Sequence, residues 1–91
     1  MVGMDDTVQR NERIPWRIIE DEAILVNIDN ELVIHLNEVA AEIWSAMDGK
    51  RTVREIVDTV HGMFKADRST IERDVVKFID ELLEKNAATV L

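Results

Sequence analysis

The stretch from Leu32 to Gly49 constrains the fold most, because the spacing of its apolar residues changes within it. Over Leu32–Leu36, apolar side chains at alternate positions indicate a half-buried strand. Asn37 then offers a side-chain oxygen to the free N–H groups of a new helix. Apolar residues at helical spacing follow, namely Val39, Ala40, Ile43, Trp44 and Met47. Gly49 comes where a left-handed residue ends a helix, so the chain changes here from strands to helices.

Three short strands are predicted in the first part of the chain. Their predicted bounds are Trp16–Ile19, Ala23–Ile28 and Leu32–Leu36, with Ile24, Val26 and Ile28 on one face of the second strand. The runs Glu20–Glu22 and Asp29–Glu31 are typical of tight hairpin turns, since Asp and Asn tolerate positive φ. Short loops connect antiparallel neighbours. The sequence therefore predicts a three-stranded antiparallel meander whose first and third strands are its edges.

A second helix is predicted after Gly49 from a capping-box pattern. Thr52 and Glu55 stand at the spacing at which each satisfies a backbone donor of the other. The apolar stripe that follows contains Val53, Ile56, Val57, Val60, Met63 and Phe64. Trp44 of the first helix and Trp16 of the first strand are expected to be core residues that anchor the sheet to that helix.

A third helix is predicted from a second pattern of this kind, Ser69 to Glu72. It runs to about Lys85, where Asn86 is suited to cap the helix end. The apolar segment Ala87–Leu91 is expected to pack back on the core. Three strands followed by three helices place the chain in the α+β class.

The third helix carries more apolar surface than one core contact needs. At ~100° per residue, one stripe contains Ile71, Val75, Phe78 and Leu82, and a second stripe beside it contains Val76, Ile79 and Leu83. Two interpretations stay open. Either the whole face is buried, or the second stripe lines a groove.

The two edge strands differ in their protection against pairing. Pro15 and Arg17 blunt the first strand, whereas Leu32–Leu36 contains neither Pro nor Lys. An unprotected edge beside an apolar helical stripe is what a peptide needs in order to bind as an added strand. The alternative is that the third helix or the C-terminal segment covers this edge.

Composition excludes several classes of protein. The 91 residues predict one domain, with residues 1–12 polar and disordered and residues 13–91 folded. Cysteine is absent, and His35 and His61 are too few for a metal cage, so no metal site or cofactor is predicted. No signal peptide or membrane span is recognisable, which predicts a cytoplasmic protein without membrane partners.

No catalytic constellation stands out in the sequence. The glycines are scattered, Glu20–Glu22 fits a solvated turn, and Ser45 and Ser69 lack a histidine partner by spacing. His35 is predicted to be an ordinary surface or contact residue. The chain is therefore predicted not to be an enzyme.

A winged-helix DNA-binding regulator is the alternative class, because the second and third helices are joined by a short turn. That function needs basic residues on the third helix. Arg73 and Lys77 are present there, but Asp80 and Glu84 share their face, and the net charge is −8. This balance disfavours nucleic acid as a partner.

A set of short motifs runs from the end of the third strand to the third helix: Leu36-Asn37, Ala40-Ala41, Ile43-Trp44, Asp48-Gly49, Thr52-Val53, Glu55-Ile56, Asp74-Val75, Phe78-Ile79 and Leu82. With this set and this order of elements, the chain resembles the PqqD family, the coenzyme PQQ synthesis protein D group, over roughly Arg13 to Ala88. The resemblance implies a small winged-helix-like domain that binds the leader of a ribosomally made precursor peptide. It also implies presentation of that peptide to a modifying enzyme, often a radical S-adenosylmethionine enzyme.

The resemblance also implies a binding site. In the family the peptide pairs as an extra strand beside the third strand and lies against the third helix. Carried over to this sequence, the site is Leu32, Val33, Ile34, His35 and Leu36, with Val76, Ile79 and Leu83. The resemblance leaves open whether the pathway makes PQQ or another product. A homodimer through the same edge is a further possibility.

Overall fold

The structure, a computed structural model, describes residues 1–27 and 32–91. Within these residues the chain forms six strands and three helices. In chain order they are β1 (Thr7–Arg10), β2 (Trp16–Ile19), β3 (Glu22–Asn27), β4 (Leu32–Leu36), α1 (Glu38–Ala46), β5 (Asp48–Thr52), α2 (Val53–Met63), α3 (Arg68–Glu84) and β6 (Ala88–Val90). No helix in this part of the chain is both long and apolar enough to cross a membrane.

The predicted meander is confirmed as an antiparallel sheet of order β2-β3-β4. Both edge strands have their predicted bounds, and the middle strand begins one residue earlier than predicted, at Glu22. Leu25 lies opposite Trp16 on one side and Ile34 on the other. The predicted end of the middle strand at Ile28, and the predicted hairpin turn Asp29–Glu31, lie outside the described residues.

The register decides which face of this sheet meets the core. Ala23, Leu25 and Leu36 are buried on the inner face. Ile24 and Val26 lie on the other face, and 40% of Val26 is exposed. Alternation predicted an apolar face of β3 that contains Ile24 and Val26, and this face points away from the core.

A second sheet, of order β5-β1-β6, includes part of the segment predicted to be disordered. That prediction for residues 1–12 is wrong for Thr7–Arg10, which pair with β6 on one side and β5 on the other. Val8 is fully buried. The carbonyls of Met4 and Asp6 also accept the first N–H groups of α2, from Arg54 and Val53. Strand β1 is polar and only four residues long, and the partners that stabilise it are distant in sequence. The local sequence therefore gave no indication of a strand here.

Helix α1 begins as predicted and ends differently. The Asn37 side chain accepts the N–H of Ala40 at 2.9 Å, which confirms the N-cap. Met47, not Gly49, occupies the C-cap position. Gly49 has the expected positive φ of 79°, but it lies within β5, where an added Cβ would stand 3.3 Å from the Gln9 side chain. The prediction of Gly49 as a helix end is therefore wrong.

One of the two predicted capping boxes is present. Thr52 accepts the Glu55 N–H, and the Glu55 carboxylate accepts the Thr52 N–H. Along the α2 stripe, Val53, Ile56, Val57 and Val60 are buried, whereas Met63 at its end is exposed. The second predicted box is wrong, because α3 already begins at Arg68 and Ser69 lies inside it.

The end of α3 has the geometry of a left-handed cap. Asn86 has a φ of 58°, and its N–H donates to Leu83 while the Ala87 N–H donates to Leu82. This pair of bonds satisfies carbonyls of the last turn. The predicted return of the C-terminal segment is confirmed, since Ala87 and Ala88 are buried and β6 pairs with β1.

Thr52 caps a helix and Ser69 does not, so alanine substitutions at the two positions should change stability by different amounts. Thr52→Ala should lower the free energy of unfolding by about 1 kcal/mol, because it removes an N-cap acceptor. Ser69→Ala should change it by no more than about 0.5 kcal/mol, since Ser69 is exposed inside a helix. Urea unfolding of both variants checks this. Equal losses would show that Ser69, too, caps a helix.

Candidate functional site

The outer edge of β4 has no strand beside it within the part of the chain that is described. The direction of its backbone groups follows from the register. The Val26 N–H donates to the Pro15 carbonyl on the β2 side of β3. Backbone N–H and C=O groups alternate in direction along a strand. The backbone groups of Ala23 and Leu25 therefore point to β4, and those of their partners Leu36 and Ile34 point back to β3.

The backbone groups of Val33 and His35 therefore point to the open edge. The side chains of both residues are exposed, and Val33 is 58% exposed. Ile34 is partly buried against the core and Leu36 is buried, so alternation in β4 is confirmed. The side chain of Leu32 lies outside the described part of the structure.

The predicted stripe on α3 divides into two kinds of residue. Val76 and Leu83 are partly buried and pack at the margin of the core. Ile79 is fully buried, so its side chain has no surface to offer a peptide. The buried stripe is Ile71, Val75, Ile79 and Leu82. The core therefore contains Ile79 in the place predicted for Phe78, which is only partly buried.

A groove of about 550 Å³ runs along α3 beside Val76. Met1 forms part of its wall, and the Val2 N–H donates to the Asp80 carboxylate at 2.8 Å. None of the β4 residues whose side chains are described lines this groove. The structure thus places Val76 beside the N-terminal segment and does not join it to β4 in one cavity.

The charges along this groove bear on the alternative of a DNA-binding helix. Arg73 and Lys77 line it together with Asp80, Glu81 and Glu84. The carboxylates outnumber the basic groups on the face that a recognition helix would turn to DNA. A phosphate backbone would meet net negative charge there.

The prediction that both tryptophans are core residues is confirmed for Trp44 and wrong for Trp16, although their rings are in contact. Trp44 is fully buried, Trp16 is 37% exposed, and their rings meet edge to face at 6.3 Å. The Arg10 guanidinium lies 5.1 Å from the centre of the Trp16 ring. Its Nη1 also donates to the carbonyls of Trp44 and Ser45. Arg10 was missed because its segment was predicted to be disordered.

Strand β2 is the second feature that the sequence did not reveal. All four of its side chains, Trp16, Arg17, Ile18 and Ile19, are exposed. Pro15 and Arg17 suggested a blunted edge, yet the strand shows three large apolar residues to solvent. The feature of the sequence that could have indicated this surface is that Trp16, Ile18 and Ile19 are apolar without strict alternation.

Among the described residues, no group of three or more His, Cys, Asp or Glu side chains is placed to hold a metal ion. The carboxylate with a distinct electrostatic setting is Asp48, at the start of β5. It accepts the N–H groups of Lys50 and Arg51 and pairs with the Arg51 guanidinium at 3.2 Å. The Lys50 N–H first, and then these other groups, hold the pKa of Asp48 below its ordinary value of 3.8.

A lowered pKa makes the Asp48 contribution to stability depend on pH. The ionised form is favoured by folding, so the contribution is present above the unfolded-state pKa and is lost as pH falls through the folded-state pKa. Asp48→Asn should therefore be less stable than the wild type at pH 6, and the gap should narrow below pH 4. Urea unfolding at pH 6 and pH 2.5 measures it. A gap of the same size at both values would contradict the proposed role of this charge.

This geometry defines a class of protein: a small α+β domain with an open sheet edge suited to strand addition. Comparison with known proteins then gives the family. Residues 22–87 match the model of coenzyme PQQ synthesis protein D (PqqD). A PqqA binding protein of Rhodopseudomonas palustris is 34% identical over 85 residues, which span 93% of this chain and 70% of that protein. The chain belongs to the PqqD family.

Solved structures agree with the fold. TbiB1, determined in complex with the TbiA(beta) leader peptide, has a TM-score of 0.78 and 28% identity, over 88% of this chain and 93% of that chain. The PqqD part of Methylobacterium extorquens PqqCD, a stand-alone recognition element for ribosomally synthesised peptides, has a TM-score of 0.78 and 20% identity, over 98% of this chain and 95% of that chain. The predicted fold class is thereby confirmed.

Proposed function

We propose that this chain is a non-catalytic recognition element for the leader of a ribosomally made precursor peptide. The leader binds as an added strand along Leu32–Leu36, and the chain presents it to a peptide-modifying enzyme, of the radical S-adenosylmethionine type or another. The observation that carries the proposal is the open edge of β4, where the backbone groups of Val33 and His35 have no strand partner among the described residues.

The comparisons support the same class of ligand. Relatives are named for binding PqqA, and TbiB1 was solved with a leader peptide on it. The proposal concerns the class of peptide and holds for PQQ synthesis as well as for another peptide pathway. Because such peptides are made on ribosomes, the proposed compartment is the cytoplasm.

The role proposed for α3 follows the burial of its residues. Val76 and Leu83 offer partly exposed apolar surface to the portion of leader that continues beyond the paired strand. Ile79 supports this surface from within the core. Main-chain hydrogen bonds along β4 would give much of the affinity, and side-chain contacts would give the specificity.

Fluorescence anisotropy with two labelled ligands tests the proposed function. The first ligand is the leader of the precursor peptide encoded beside this gene, and the second is a DNA duplex at low salt. We expect saturable binding of the leader and none of the duplex. Duplex binding with a steep salt dependence, without leader binding, would instead support the DNA-binding class.

A further inference from the structure

A second apolar surface lies at the opposite edge of the same sheet. We define the β2 patch as Trp16, Ile19, Ile24 and Val26, which line one groove. Ile19 and Val26 are 48% and 40% exposed. A shallow groove of about 370 Å³ crosses this surface, bordered by Pro15 and Arg17. Isolated exposed apolar residues are ordinary, but a contiguous group marks an interaction site.

The backbone of β2 adds to the open character of this edge. The backbone groups of Ile24 and Glu22 point to β2, as those of Val26 do. Their partners Arg17 and Ile19 point their backbone groups back to β3. Alternation then turns the N–H and C=O groups of Trp16 and Ile18 outward. No strand lies beside them in residues 1–27 or 32–91.

Trp16 has the properties of an interface anchor. Its ring is partly exposed, yet it meets the Trp44 ring in an edge-to-face contact, and the Arg10 guanidinium lies over it. These contacts hold the side chain in one orientation before any partner arrives. A fixed aromatic loses little conformational entropy on binding, and tryptophan is enriched among the residues that dominate binding energy.

Charge complementarity points to the chemistry of the partner. Glu20 and Asp21 form the turn that follows β2, Glu22 begins β3, and all three are exposed. Their carboxylates favour a partner whose apolar contact surface has a basic rim, and they speed its association. The chain itself has a net charge of −8, which makes a second copy a poor match for this turn.

The size of the patch indicates a reversible complex. A stable interface buries roughly 800 Å² on each partner, which is more than the four partly exposed side chains of the patch supply. A permanent dimer through this surface is therefore disfavoured. A partner that must engage and leave in each round of peptide modification fits the available area.

We propose that the β2 patch docks the peptide-modifying enzyme, through an apolar surface with a basic rim, while the leader occupies β4. This inference rests on the proposed function. Strand β3 lies between the backbone edges of β2 and β4, which are roughly 10 Å apart, two strand spacings. Val26 of the patch lies opposite Val33, so in this proposal the enzyme contacts the β2 side of the patch while the leader pairs with the outer edge of β4.

The test compares two matched lysine substitutions. Ile19→Lys adds a charge to the patch, whereas Met63→Lys adds the same charge to an exposed apolar position at the end of α2. Biolayer interferometry measures binding of each variant, with leader bound, to the modifying enzyme encoded beside this gene. We expect Ile19→Lys to weaken enzyme binding at least tenfold and Met63→Lys less than twofold. Both variants should bind leader like the wild type.

A charge variant gives a second readout. Asp21→Asn with Glu22→Gln should slow enzyme association several-fold at low salt and reduce its salt dependence. Wild-type enzyme affinity in Ile19→Lys, or equal losses in both lysine variants, would overturn the proposal. The proposal would also be overturned if the wild type were a dimer, and Ile19→Lys dissociated this dimer without changing enzyme binding. If the wild-type chain does not bind the leader, the proposed function itself fails, and this outcome is distinct from a failure of enzyme docking.

Discussion

Replacing Trp44 by alanine is expected to lower the free energy of unfolding by about 3–5 kcal/mol. The side chain is fully buried, and α1, the helix that carries it, contacts β3, β4 and α2. Its indole N–H has no hydrogen-bond acceptor among the described residues, so the loss comes from packing and from the cavity that remains. A domain of this size has little more stability than that, and Trp44→Ala should be largely unfolded at low urea concentrations.

Trp16→Ala is the matched control for this prediction. Trp16 is the other half of the ring contact but is 37% exposed. Its removal should cost about 1–2 kcal/mol, the scale of an aromatic pair and partial burial. Urea unfolding followed by circular dichroism compares the two variants. A Trp44→Ala variant as stable as the wild type would contradict the placement of α1.

Replacing Val33 by proline is expected to weaken leader binding tenfold or more. The substitution removes an N–H that points to the open edge and puts a ring where the peptide backbone would approach. The lost hydrogen bond accounts for about 1 kcal/mol, and the ring disturbs the neighbouring bond at His35. Because β4 is an edge strand and this N–H does not bond β3, the fold should tolerate the proline.

Val33→Ala separates the backbone effect from the side-chain effect. It keeps the N–H and removes only apolar surface, so it should weaken binding less than Val33→Pro. Isothermal titration with the leader measures both variants after circular dichroism has shown that they fold. If Val33→Pro binds like Val33→Ala, the backbone of β4 does not carry the affinity.

The features that could be predicted from sequence are those with local causes. The alternation in Leu32–Leu36, the Asn37 cap and the Thr52 capping box each depend on residues a few positions apart, and all three are present. The predicted cap at Ser69 was wrong because the same pattern fits a position inside a helix. Asp67 precedes the helix there, without a side-chain cap bond.

The features that were missed have causes distant in sequence. Strand β1 forms because β5 and β6 flank it, and Arg10 gains its role from carbonyls at the end of α1. The side chains of β2 are exposed because no element in residues 1–27 or 32–91 covers them, and the periodicity of a sequence does not report this. The predicted contact between a leader and the stripe on α3 likewise depends on packing, which places Ile79 in the core.

The central claim is that a leader peptide pairs with the open edge of β4. The most direct measurement is an NMR titration of the isotope-labelled chain with the leader encoded beside this gene. The account predicts the largest amide shifts within Leu32–Leu36, foremost at Val33 and His35, with smaller shifts near Val76 and Leu83. Shifts confined to β2 or α2, with Leu32–Leu36 unchanged, would contradict it.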